Sequence, residues 1–118
     1  MPNSPLAVVQ AQLDAYNAKD LDALMATYAP NAQQFALHGA LLAEGHDQIR
    51  SRYEARFVEP DLQARLLSRT VLGNFVTDLE IVTRNFPEGK GTVEMLCVYE
   101  VVEGRIVRAS FATGETRI

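Results

Sequence analysis

Apolar residues recur every three or four positions along the first half of the chain, a spacing that places them on one face of a helix. The pattern predicts three helices. Their apolar positions are Leu6, Val9, Leu13 and Tyr16 in the first, Leu21, Leu24, Met25 and Tyr28 in the second, and Ile49, Tyr53 and Phe57 in the third. Pro30 and Pro60 are expected to end the second and third helices, because proline lacks the amide hydrogen that a helix interior needs. Between these two helices, residues 33–38 are predicted to form a short strand and residues 39–45 a loop.

The second half of the chain is instead rich in β-branched and aromatic residues, which are typical of strands. Four strands are predicted, over residues 62–72, 76–86, 92–102 and 105–113. Glycine-containing turn segments at residues 73–74, 87–91 and 103–104 separate them. Helices followed by a strand meander predict an α+β fold, with the three helices packed on one face of a curved antiparallel sheet.

The turns also predict which strand residues face each other. Two-residue turns at residues 73–74 and 103–104, with a third turn centred on Gly89, fix the register. The predicted pairs are Arg69 with Asp78, Ser68 with Leu79, Arg84 with Glu94, Ile81 with Cys97, Cys97 with Ser110, Tyr99 with Arg108 and Val102 with Arg105. Two of these pairs join opposite charges, an arrangement that is favourable between neighbouring strands, and both are expected on the face away from the helices.

Side chains alternate between the two faces of a strand, so this register predicts what each face carries. The helix-covered face is expected to be apolar with a few polar groups, as a small-molecule site is. The expected ligand contacts are Leu66, Ser68, Leu79, Ile81, Thr83, Met95, Cys97 and Ser110 from the strands, and Tyr16 and Tyr53 from the helices. The opposite face carries a charged rim around an apolar patch, which predicts a homodimer interface. That patch consists of Leu67, Val82, Leu96, Val98 and Phe111.

Three residues are candidates for catalysis, and His38 and Arg108 are expected to point into one cavity with Tyr99 beside them. His38 follows an apolar stretch, and the neutral-range titration of histidine suits acid–base chemistry. Its alternative role is a local hydrogen bond at the edge of a loop. Arg108 and Tyr99 are predicted neighbours that could hold a carboxylate or enolate oxygen, and the alternative for Arg108 is a structural contact with a backbone carbonyl or an acidic side chain. Cys97 lies in an apolar strand, where a free cysteine is usually inert.

Four short motifs, in this order, resemble the nuclear-transport-factor-2-like (NTF2-like) superfamily and, within it, the SnoaL-like group of ketosteroid isomerases and polyketide cyclases. They are Asn-Ala-Lys-Asp-Leu-Asp at 17–22, Tyr-Ala-Pro-Asn-Ala at 28–32, Gly-His-Asp-Gln-Ile-Arg at 45–50 and Glu-Gly-Arg-Ile-Val at 103–107. The resemblance covers nearly the whole chain. It implies one domain, residues 1–118, with a cone-shaped fold of three N-terminal helices on a curved sheet.

The resemblance also implies a catalytic set that this chain does not carry. In the family's isomerases, a carboxylate moves the proton while a tyrosine and a protonated carboxylic acid bind the enolate oxygen. Alignment on the motifs places the carboxylate at Ala36, the tyrosine at Gln12 and the acid near Cys97. None of these side chains supplies the required group, so we expect the isomerase reaction itself to be absent.

Composition and charge limit the classes of partner and the location that we expect for this protein. The net charge of -4 disfavours nucleic acid, no apolar run approaches the roughly 20 residues of a membrane helix, and the N-terminus is unlike a signal peptide. A single cysteine excludes an internal disulfide and fits the cytoplasm, and no motif indicates a metal or cofactor. The sequence therefore predicts a cytoplasmic protein that binds an apolar small molecule with polar oxygens, with isomerase or cyclase activity left open. The alternative is a non-catalytic dimeric protein-interaction module.

Overall fold

Three helices pack on one face of a six-stranded sheet in the computed structural model, which describes residues 3–118. The elements are α1 (Pro5–Ala18), α2 (Leu21–Ala26), β1 (Tyr28–Ala36), β2 (Leu41–Glu44), α3 (Gly45–Phe57), β3 (Gln63–Leu72), β4 (Phe75–Phe86), β5 (Gly89–Val102) and β6 (Arg105–Arg117). The strand order is β2-β1-β6-β5-β4-β3, so β2 and β3 are the edges of an open sheet. The predicted α+β fold is confirmed.

The first strand begins earlier than predicted. Tyr28, expected at the end of the second helix, is instead the first residue of β1, which pairs in parallel with β6. Pro30 is tolerated in this strand because the β1–β6 pairing is interrupted between Tyr28 and Gln33. The predicted loop at 39–45 contains β2, which pairs antiparallel with β1. The sheet therefore contains both parallel and antiparallel pairs. The pairing of β1 with β6 overrides the helical pattern of the sequence around Tyr28.

The β4–β5 register differs from the prediction by three residues. The turn is formed by Pro87 and Glu88, so that Phe86 pairs with Gly89. As a result Arg84 faces Gly91 rather than Glu94, and Ile81 does not face Cys97. A shift by an odd number of residues exchanges the two faces of a strand.

This exchange changes the predicted list of ligand contacts. Leu79, Ile81 and Thr83 lie on the outer face of the sheet, away from the helices. Glu80 and Val82 take the helix-covered side and are buried there. The prediction of Val82 as a dimer contact is therefore wrong.

One extra residue in the β5–β6 pair has a similar effect. Val102 pairs with Arg105 as predicted, but the register shifts between Glu100 and Val101. Beyond that bulge, Tyr99 faces Ala109, and Cys97 faces Phe111. The shift turns Arg108 and Ser110 outward and brings Phe111 to the helix side, so Phe111 is also lost as a dimer contact.

The β3–β4 hairpin confirms two predicted pairs, Arg69 with Asp78 and Ser68 with Leu79. The charged pair nevertheless lies on the helix side of the sheet, since Arg69 also donates to Gln10 of α1 at 2.7 Å. A bulge between Leu66 and Ser68 then separates these two residues onto opposite faces. Leu66 packs against the core and Ser68 is exposed.

The core lies between α1, α3 and the concave face of the sheet. Its most deeply buried side chains include Val9, Leu24, Tyr28, Ile49 and Ile106.

Within residues 3–118, no helix combines the length and apolar character needed to cross a membrane.

Candidate functional site

A cavity of about 460 Å³ opens between the helices and the concave face of the sheet. It is lined by Gln12, Leu13 and Tyr16 of α1, Ala36 of β1, Leu42 of β2, Arg52, Tyr53 and Arg56 of α3, Glu80, Val82, Arg84 and Phe86 of β4, Val93, Met95, Cys97 and Tyr99 of β5, and Phe111, Thr113 and Thr116 of β6. Apolar walls and a few polar groups are the usual composition of a small-molecule site.

Glu80 is the acid in the wall of this cavity, and it is 6% exposed. Its pKa is raised to about 7, chiefly by burial and secondly by the negative charge of Asp78, while Arg69 acts in the opposite direction. The thiol of Cys97 donates to Glu80 Oε1 over 3.9 Å, a weak interaction. A carboxyl group with a pKa near neutrality can both accept and return a proton.

Asp78 stands beside Glu80 on the same face of β4, but its surroundings differ. It is 0% exposed, and Arg69 forms a bidentate ion pair with it, at 2.7 Å from Nε and 2.8 Å from Nη2. Arg69 therefore compensates the charge of Asp78 directly, whereas Glu80 receives no direct hydrogen bond from a guanidinium among the described residues.

Neutral hydrogen-bonding groups lie at the buried end of the cavity. The Tyr99 hydroxyl donates to Gln12 Oε1 at 3.4 Å, and both side chains are buried. Burial raises the pKa of Tyr99 well above its usual value, so its hydroxyl stays protonated. This end of the cavity therefore holds a phenol and an amide next to a titratable acid.

A hydrogen-bond network fixes the helix-side wall. The amide of Gln34 donates to the hydroxyls of Tyr28 and Tyr53, which lie 3.0 Å apart. Arg52 donates to the Gln34 side-chain oxygen. Gln34 is fully buried, so the network holds Tyr53 and Arg52 in place in the wall.

Two further arginines share one carboxylate at the cavity rim. Arg84 donates from Nε and Nη2 to Glu59 at 2.8 and 2.7 Å, while Arg56 Nε lies 3.7 Å from the same carboxylate. The hydrogen bonds from Arg84 lower the pKa of Glu59. Burial raises the pKa of neighbouring Tyr16 to about 12, although Arg56 opposes this shift.

Five residues predicted as site residues line the cavity. They are Tyr16, Tyr53, Met95, Cys97 and Tyr99. Among the other predicted contacts, Leu66 packs in the core beside the cavity. Ser68, Leu79, Ile81, Thr83 and Ser110 are outside it, because of the register shifts and bulges described above.

The prediction that His38 and Arg108 point into this cavity is wrong. His38 is exposed in the β1–β2 turn, with a positive φ of 56°, because the chain reverses there to form β2. Arg108 is exposed on the outer face, with its guanidinium 5.5 Å from the centre of the Phe35 ring. Neither residue lines the cavity.

Sequence reasoning missed Glu80, Arg84, Arg52 and Arg56, all of which line the cavity. Residues 86–89, Phe-Pro-Glu-Gly, carry the signal that would have found the first two. Proline in the second position and glycine in the fourth favour a turn centred between residues 87 and 88. That turn gives the observed register and brings Glu80 to the concave face.

Comparisons with known proteins support the same architecture. The SnoaL-like domain matches residues 9–109, and no curated protein sequence matches the chain. An uncharacterised cystatin-fold protein from Novosphingobium aromaticivorans is 26% identical, with a TM-score of 0.85 over 92% of this chain and 97% of that chain. A protein proposed to be a polyketide cyclase, from Sinorhizobium meliloti, is 27% identical, with a TM-score of 0.72 over 89% of this chain and 93% of that one.

A third solved structure fixes the fold class. An NTF2-like protein of unknown function from Burkholderia pseudomallei is 17% identical, with a TM-score of 0.82 over 97% of this chain and 92% of that chain. The matched domain covers most of the sequence, and the helices and strands agree with the NTF2-like architecture. This chain therefore belongs to the SnoaL-like domain family and has the NTF2-like fold.

Proposed function

We propose that this protein binds a small, largely apolar molecule with polar oxygens in the cavity, and that the Glu80 carboxyl moves a proton on that molecule. One observation carries the proposal. Glu80 lines the cavity, and burial raises its pKa to about 7, where a carboxylate is an effective base at neutral pH. The reaction class would be that of an isomerase or cyclase, as in the proposed polyketide cyclase of Sinorhizobium meliloti.

The size and lining of the cavity support ligand binding. Its volume of about 460 Å³ lies within the range of roughly 300–1,000 Å³ typical of small-molecule sites. Tyr16, Tyr53 and Phe57 pack together, with ring centres 5.7–6.0 Å apart. These rings leave the cavity open, whereas a non-catalytic interaction module would be expected to have a filled one.

The proposed reaction begins with ionised Glu80 taking a proton from a carbon next to a substrate carbonyl. The electron pair of the broken C–H bond moves onto the carbonyl oxygen and gives an enolate. The Gln12 amide, whose oxygen accepts from the Tyr99 hydroxyl, offers its NH2 group as the hydrogen-bond donor for that oxygen. If the substrate has a neighbouring carbon–carbon double bond, Glu80, now neutral, returns its proton to the far carbon of that bond and the double bond shifts, which isomerises the substrate. If the enolate carbon instead adds to a second carbonyl and closes a ring, Glu80 returns the proton to the alkoxide oxygen formed there.

This arrangement differs from that of the ketosteroid isomerases that the sequence resembles. Ala36 of β1, where the resemblance places the proton-moving carboxylate, lines the cavity but cannot carry a proton. In our proposal the carboxylate comes from β4 instead. A different wall of the cavity therefore presents the base, and 3-ketosteroids are not the expected substrates.

Deuterium exchange tests the proposed proton transfer without knowledge of the natural substrate. Bicyclic ketones such as 2-tetralone would be incubated with the protein in deuterium oxide, and α-hydrogen exchange followed by NMR. We expect exchange above the buffer rate in the wild type and a loss of about 100-fold in Glu80→Gln. Glu88→Gln, in the exposed β4–β5 turn, is the matched control. Equal exchange rates in wild type and Glu80→Gln, both above the buffer rate, would refute Glu80 as the base. Exchange at the buffer rate in the wild type would refute the proposed proton transfer.

We also propose that the protein forms a homodimer through the outer face of the sheet. Leu67 and Leu79 are 44% and 38% exposed there, beside the half-buried Leu96 and Val98. A stable dimer buries at least about 1,000 Å². Sedimentation at micromolar concentration should give a dimer that Leu79→Glu dissociates, and a wild-type monomer would contradict this assembly.

The free buried thiol of Cys97 suits the cytoplasm, where we propose that the protein acts as a single domain.

A further inference from the structure

The cavity wall carries an excess of positive charge. Three arginines line it, Arg52, Arg56 and Arg84, whereas Glu80 is the acid among the lining residues of the described chain. All three guanidinium groups are on half-buried residues, where solvent screens their charge less than on an open surface. A cluster of this kind favours a negatively charged group nearby.

The nearby carboxylates compensate only part of this charge. Glu59 is shared between Arg84, which binds it at 2.7 Å, and Arg56, whose Nε lies 3.7 Å away. Arg52 donates to the neutral side chain of Gln34 and has no carboxylate within ion-pair distance among residues 3–118. Glu59 therefore serves two of the three guanidinium groups, and Arg52 retains further donors for a ligand.

The positions of these charges constrain the length of a ligand. Arg84 follows Glu80 by four residues on the same face of β4, which corresponds to about 13 Å along a strand. Val82 lies between them, and Met95 and Tyr16 line the same cavity. Arg56 lies at the Arg84 end of this span, because both arginines contact Glu59. A molecule that reaches from Glu80 to Arg56 would therefore have an apolar body about the length of two aromatic rings.

We infer that the molecule bound in this cavity carries a carboxylate group, held at the rim by Arg52 and Arg56, while its reactive carbon lies next to Glu80. The inference rests on the proposed function and specifies its substrate class, an apolar carboxylic acid. Guanidinium groups bind carboxylates in a planar, two-bonded geometry. Glu59 in the same cluster disfavours a dianion such as a phosphate monoester, because it would repel two negative charges rather than one.

A matched pair of probes tests the inference by calorimetry at pH 7. The probes are 4′-hydroxybiphenyl-4-carboxylate and its 4-carboxamide, which share a shape and differ in charge. We expect the carboxylate to bind the wild type at least about tenfold more tightly, the lower bound for a hydrogen bond to a charged group. The double variant Arg52→Gln/Arg56→Gln should remove this preference. Arg50→Gln, which removes an arginine paired with the exposed Asp22, should keep it.

The possible outcomes separate the inference from the proposed function. Equal binding of both probes to the wild type would overturn the inference and leave ligand binding intact. Binding of neither probe would overturn both. Tighter binding of the 4-phosphonate would overturn the assignment to a carboxylate. Since the double variant could fail to fold, Arg52→Lys provides a second test, because it keeps the charge but should lose most of the preference with the planar geometry.

Discussion

Glu80 and Glu59 are the same residue type in two regions of one site, and their pKa values shift in opposite directions. Glu80 lies at the buried end, where desolvation raises its pKa to about 7. Glu59 lies by the rim, where hydrogen bonds from Arg84 lower its pKa. The comparison teaches that burial raises the pKa of a carboxyl group in this site, whereas hydrogen bonds from a guanidinium group lower it.

Asp78 extends the comparison because it is both buried and paired with a guanidinium group. It is as buried as Glu80, yet it has a guanidinium partner, as Glu59 does. Asp78 is therefore a buried carboxyl with an arginine partner, Glu80 is a buried carboxyl without one, and Glu59 is a half-buried carboxyl with one. Glu80 lines the cavity and its pKa is raised to about 7, which is why we assign the proton transfer to it.

Removal of Arg69 should have the largest effect, because it leaves Asp78 buried without its partner. Arg69→Met is expected to destabilise the protein by about 3–5 kcal/mol, as breaking one side of a buried ion pair does. Urea unfolding would measure this change. Arg84→Met, the control at the half-buried rim, should cost about 1 kcal/mol or less. Similar losses in the two variants would contradict the distinction between the two regions.

The Glu80→Gln variant should have the second largest effect, and its sign depends on pH. The pKa of Glu80 in the folded protein, about 7, is above its ordinary value of 4.5. The folded state therefore binds more protons than the unfolded state between these values, and its stability falls as pH rises through this window. At pH 8 the variant should be more stable than the wild type by up to about 3 kcal/mol, with little difference at pH 4.

Urea unfolding at several pH values would measure this crossover, with Glu88→Gln as the variant that should follow the wild type at every pH. A constant difference between Glu80→Gln and wild type from pH 4 to pH 8 would show that Glu80 does not titrate in this range.

The Glu59→Gln variant should have the smallest effect and the opposite pH dependence. The lowered pKa of Glu59 means that its contribution is present above the ordinary carboxyl pKa and is lost as pH falls through the folded-state value. We expect a loss of at most about 1 kcal/mol at pH 7, because the pair is only half-buried. The difference should disappear toward pH 3, and thermal unfolding at pH 7 and pH 3 would detect it. A larger loss at the lower pH would contradict the assignment.

The sequence predicted the scaffold better than the site, for a physical reason. Helix stripes and turn residues are local patterns, so the α+β fold and the pair between Arg69 and Asp78 were predicted correctly. The faces of β4 and β6 depend on a turn position and on a one-residue bulge. Each error inverted a whole strand, which is why Glu80 was missed and Arg108 was wrongly placed in the cavity.

Direct titration of Glu80 tests the central claim most closely. The side-chain carboxyl carbon would be followed by ¹³C NMR between pH 3 and pH 9, with the Glu80 resonance assigned by its loss in Glu80→Gln. Our account predicts a midpoint near 7, because burial without a guanidinium partner disfavours the charged form. A midpoint at or below 4.5, the ordinary value, would contradict both the electrostatics of the cavity and the role of Glu80 as its base.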